Sequence, residues 1–147
     1  MKADLKKRSI LNLFNDSQIK NLKGAFLEVL SFRIFETYFK PNLAYTDCNL
    51  CIDGWKSQLT VDISMESSDF GLVCECKVPS SKFNLDIFYN LLNIRYYSEN
   101  YFHPYAVTLD CKDRMDSKKH RIEHAIGYYG AFDEIHFITR ELLGNFF

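Results

Sequence analysis

The chain has 147 residues, 47% of them hydrophobic and 25% charged, which is the composition of one ordinary globular domain around one core. It holds no run of roughly 20 apolar residues, and this excludes a membrane-spanning helix. Its formal net charge of −1 speaks against a strong nucleic-acid binder, which usually carries a basic excess.

Residues 1–15 read as an N-terminal arm with one helical turn over 10–14, and residues 16–147 as a single α/β domain. The start, MKADLKKRSI, is basic but has no apolar segment behind it, which points away from a secretory signal and towards a cytoplasmic protein. Lys2, Lys6, Lys7 and Arg8 form one basic cluster and Lys118, Lys119 and Arg121 a later one. Either cluster tracks a phosphate backbone or is a solvated face.

Asp16 or Ser17 can cap a helix that runs to about Phe39. Ile19, Leu22, Phe26, Val29, Leu30 and Ile34 recur at helical spacing and predict its buried stripe, broadened by Phe32 and Phe35. Glu28 lies at the edge of that stripe. Lys40-Pro41-Asn42 stops the helix. Residues 45–55 predict a first strand, with Asp53-Gly54 as the turn before the second. Asp47, on this strand, could approach a site built on its neighbours.

Residues 58–66, QLTVDISME, alternate apolar and polar as a half-buried strand does. Ser67-Ser68-Asp69 and Gly71 signal a turn, and residues 71–78, GLVCECKV, predict a buried strand. The two strands form an antiparallel hairpin on which Asp62 and Glu75 can face each other. Glu75 and Lys77 are two apart and share a face, while Cys74 and Cys76 point the other way into packing. A structural ion pair would account for Glu75 and Lys77 alone. Two converging carboxylates repel, however, and a divalent cation relieves that repulsion. Oxygen ligands with retained waters suit Mg²⁺ or Mn²⁺. Lys77 could then hold a phosphate or activate water.

Pro79-Ser80-Ser81 caps a helix over 83–97, followed by a strand over 105–111, a helix from Asp116 or Ser117 to about Tyr128, a strand over 134–139 and a short tail. His120 and His124 share one helical face, but they lack the H-E-x-x-H order and a third ligand, so surface roles fit them better. The C-x-x-C at Cys48/Cys51 and the C-x-C at Cys74/Cys76 lie inside predicted strands, not in the turns that zinc ribbons use. Five cysteines, an odd number outside any disulfide framework, are those of a reducing compartment. The order α-β-β-β-α-β-α-β is that of a mixed central sheet flanked by helices.

Asp62, followed after a hairpin by Glu75-Cys76-Lys77, resembles the core motif of the PD-(D/E)xK, restriction-endonuclease-like nucleases. Lys23-Gly24-Ala25-Phe26-Leu27-Glu28 resembles the K-G-x-x-x-E start of the first helix in Holliday-junction-resolvase-like and Mrr-like members. Val61 stands where many members have proline. The resemblance covers roughly residues 16–143. It implies a restriction-endonuclease-like core and a Mg²⁺- or Mn²⁺-dependent endonuclease acting on nucleic acid, DNA before RNA. Asp62, Glu75 and the backbone carbonyl of Cys76 would be metal ligands, with Glu28 on a metal-bound water or a second ion and Lys77 on the attacking water. It also implies a polar residue near the metal from the helix after the motif, where Asn84, Asn90 and Lys82 are available, and it allows a homodimer. The alternative is a catalytically silent module of the same fold that binds nucleic acid or a protein.

Overall fold

The computed structural model describes residues 16–146, so the arm over 1–15 and its basic cluster lie outside the described residues. The elements are α1 (Asp16–Phe39), β1 (Leu43–Cys48), β2 (Cys51–Ile52), β3 (Trp55–Lys56), β4 (Val61–Glu66), β5 (Gly71–Lys77), a 3₁₀ turn (Ser80–Lys82), α2 (Leu85–Tyr97), β6 (Phe102–Thr108), α3 (Lys112–Ile126), β7 (His136–Ile138) and α4 (Arg140–Gly144). Five strands form one sheet in the order β1-β4-β5-β6-β7, antiparallel from β1 to β5 and parallel from β5 to β7. Helices cover both faces, so the class is α/β with a mixed central sheet. Among the described residues no helix is long and apolar enough to cross a membrane.

β5 is the middle strand and is buried along its length apart from Lys77. Its side chains alternate between two cores. Leu72, Cys74 and Cys76 pack with Leu27 and Phe35 of α1 and with Ile63, Met65 and Val107. Val73 packs on the opposite side with Phe83, Phe88, Leu91 and Ile94, closed by Met115, Phe132 and Ile135. The pairing of Cys74 and Cys76 with the packed face follows the expected alternation, and their sulfurs lie 3.8 Å apart.

Several expectations are corrected. The strand expected over 45–55 is broken after Cys48, and the Asp53-Gly54 turn joins β2 to β3 in a separate hairpin, both residues having positive φ. That hairpin is held to α2 by Trp55 stacked on Tyr97, with ring centroids 4.5 Å apart. The stripe that α1 buries is also different. Leu22, Phe26 and Val29 are 54%, 61% and 62% exposed, whereas Leu27, Ser31 and Phe35 face the sheet. Apolar residues lie all round this helix, so periodicity alone selects no face. Asn84, not Pro79-Ser80-Ser81, caps α2 by accepting from the Ile87 amide at 2.9 Å. β6 begins at Phe102, before His103-Pro104, and α3 begins at Lys112 and ends at Ile126, capped by Gly127, whose φ of 71° lets the chain turn away. The expected tail contains α4.

Candidate active site

The β4–β5 ladder ends at the pair Ile63 and Cys74. The next residues along the two strands are Asp62 and Glu75. There the Cys76 amide, which in a continued ladder would seek a backbone carbonyl of β4, donates instead to Asp62 Oδ2 at 2.7 Å. A β-strand amide points along the sheet plane, so the Asp62 carboxylate sits between the parting strands. The geometry places Lys77 Nζ 3.2 Å from Glu75 Oε2 and 3.9 Å from Asp62 Oδ2. The three residues singled out from the hairpin pattern are therefore together in space.

Glu75 is only 4% exposed. Burial, a hydrogen-bonding contact with Asp62 and the Asp62 charge push its carboxyl up from 4.5 to about 8, against the opposing pull of Lys77. Burial alone would lower the Lys77 ammonium, but Glu75 and Asp62 outweigh it and hold it above its ordinary value. The pair thus carries more acid than one lysine neutralises.

Glu28 is half-buried on α1, and its carboxyl is raised by burial, then by Asp62 and Asp47, with Lys77 opposing. It feels the site electrostatically. Among the described residues it makes no hydrogen bond or ion pair to Asp62, Glu75 or Lys77. Asp47 has φ 49° and lies between Thr46 and Cys48, which pair with Ile63 and Val61, so it stands in register with Asp62. Glu28 and Asp47 line one cleft of about 350 Å³ with Thr46 and Arg33. The sequence left Asp47 open because its place depends on the β1–β4 register, which no local pattern sets.

The remaining candidates have structural partners. Asn84 is a helix cap, and Asn90 clamps the Leu59 backbone through both ends of its amide, at 3.3 and 3.2 Å. His120 lies 3.5 Å from Glu123, and His124 lies 2.9 Å from the Tyr129 hydroxyl, both on the exposed side of α3. Lys82 lines a cleft with Lys77 and Lys23.

The donor set at the fork fits a hard divalent cation. Asp62 and Glu75 offer oxygen only, Glu75 carries an uncompensated tendency to hold a proton, and Mg²⁺ keeps several waters while taking one or two carboxylates. Among the described residues no group of three or more His, Cys, Asp or Glu is arranged around a single ion position. No family model, curated protein or solved structure matches the chain.

Proposed function

We propose that this protein is a divalent-cation-dependent nuclease of restriction-endonuclease-like fold, hydrolysing phosphodiester bonds in nucleic acid, DNA first. The observation that carries this reading is the parting of β4 and β5 at two carboxylates with one lysine within reach of both. Asp62 and Glu75 would hold Mg²⁺ or Mn²⁺, with the Cys76 carbonyl as a further oxygen. The chemistry the cation supplies when bound is positive charge on a phosphoryl oxygen and a more acidic water.

The chain's own residues do the rest. The Cys76 amide fixes Asp62 in one orientation, so the carboxylate does not have to be ordered at the moment of reaction. Lys77, protonated and held between the carboxylates, aims its ammonium at whatever anion enters the fork. Glu28 and Asp47 add negative charge on the α1 side and favour retention of a cation or of water there. The mostly buried floor of β5 excludes bulk solvent from one side of the site.

The test is cleavage of single-stranded, double-stranded and branched DNA, and of RNA, with Mg²⁺ or Mn²⁺ against EDTA. The expected result is metal-dependent cutting that is lost in Lys77→Ala while the fold persists. Cutting that survives in both Lys77→Ala and Glu75→Ala would refute the assignment. The rival reading, a silent module of the same fold, draws on the small size and the formal net charge of −1 and expects binding without cutting.

A further inference from the structure

One cleft opens beside the fork, at Cys76 and Lys77, and a second adjoins it, with Pro79 and Asp110 lining both. The first, of about 470 Å³, brings together Lys23 of α1, Lys77 of β5 and Lys82 of the 3₁₀ turn, three cations from three elements. The second, of about 410 Å³, is lined by Ser80, Ser81, Arg114, Ser117 and Arg121. Lys77 is held by Glu75 and Asp62 and Arg114 lies beside Asp110, which leaves Lys23, Lys82 and Arg121 as the cations of these walls without a carboxylate partner among the described residues, in a chain whose formal net charge is −1.

Asp110 is already engaged, because its Oδ2 accepts from the Ser80 amide at 2.7 Å and the Ser80 hydroxyl at 2.6 Å, and Arg114 lies 3.7 Å from its Oδ1. By contrast Lys23, Lys82 and Arg121 are exposed and have no carboxylate partner among the described residues. Lys118 donates to the Ser81 carbonyl at 3.3 Å on the same wall. The late basic cluster therefore divides. Lys119 is spent on Asp133 at 2.6 Å and Lys118 on the Ser81 carbonyl, while Arg121 lines this groove.

We propose that the groove running from Lys23 and Lys82 past Pro79 to Arg121 is the track for the phosphate backbone of a nucleic-acid strand whose scissile bond enters the fork. The inference rests on the nuclease reading for its occupant. A strand presents a row of monoanions at regular spacing, which a line of unpaired lysine and arginine with serine hydroxyls between them can neutralise. No aromatic side chain lines either cleft, so the contacts are with the backbone and carry little sequence preference.

The test is fluorescence anisotropy of a labelled oligonucleotide in EDTA, where no cutting intervenes, over about 50 to 200 mM salt. Lys82→Glu and Arg121→Glu are each expected to weaken binding on the order of tenfold at low salt and to reduce the salt slope by about one. Lys56→Glu, the same charge change on β3 outside the groove, should move affinity by less than about twofold. Unaltered binding in both groove variants, or no binding by the wild type, overturns the proposal. Equal affinity for an aspartate-rich peptide of matched charge also overturns it, by giving the groove to acidic protein segments. The two readings fail differently. Cutting with unchanged KM in the groove variants would sink the track and leave the nuclease, whereas groove-dependent binding without any cutting would sink the nuclease and leave the track.

Discussion

Replacing Glu75 by glutamine should make the metal-free protein more stable, not less. The Glu75 carboxyl is held at about 8 in the fold against an ordinary value of 4.5. A carboxyl raised on folding contributes stability that is complete below its unfolded value and is lost as pH rises through the folded one. The window is therefore pH 4.5 to about 8. At roughly 1.36 kcal/mol for each tenfold change, the full difference is on the order of 4–5 kcal/mol. Glutamine has nearly the same shape and no charge to bury. It forfeits the Glu75 contact to Lys77 at 3.2 Å but can still accept a hydrogen bond there, and Asp62 remains near the ammonium. The expected net gain is about 2–3 kcal/mol at about pH 8.5, shrinking towards zero near pH 5, or on the order of 10 °C in Tm for a domain of this size. Thermal and urea unfolding followed by circular dichroism in EDTA, from about pH 5 to pH 9, measures it. Parallel pH profiles for the two proteins, or a variant less stable throughout, would refute the reasoning.

Three further outcomes follow from the packing. Leu27→Ala should cost about 2–5 kcal/mol and Phe26→Ala less than about 1 kcal/mol in urea unfolding, because Leu27 is 0% and Phe26 61% exposed. Gly71→Ala would place a Cβ 2.6 Å from the buried Phe102 ring and 2.7 Å from Tyr101, so a loss of about 1–3 kcal/mol is expected in the same assay. Asp110→Ala removes the charged acceptor of both Ser80 hydrogen bonds and should cost about 1–3 kcal/mol, with faster amide exchange at Ser80 as the local sign.

The hairpin chemistry was legible because it is local. Alternation put Asp62, Glu75 and Lys77 on defined sides of two consecutive strands joined by a short turn, and the structure brings them together. The class, a mixed sheet covered by helices, was legible from the order of periodic segments. Other features depend on long-range choices. α1 is apolar on nearly every side, so helical spacing fits Leu22, Phe26 and Val29 as a buried stripe, and only the sheet selects Leu27 and Phe35 instead. Asp47 comes beside Glu28 through strand register, with a left-handed backbone that no motif announces. The C-terminal α4 is too short for periodicity to mark. The groove was half visible, since the cluster at Lys118–Arg121 stood out, but its division between Asp133 and the groove is decided by α3 rotation.

The central claim is that Asp62 and Glu75 form one cation site. Calorimetric titration of Mn²⁺ into the wild type and Asp62→Asn, in buffers of different ionisation enthalpy near pH 7, tests it most directly. The account predicts saturable binding to the wild type with close to one proton released per ion, as Glu75 ionises, and none to Asp62→Asn. Undiminished binding in Asp62→Asn, or no binding by the wild type, would contradict it.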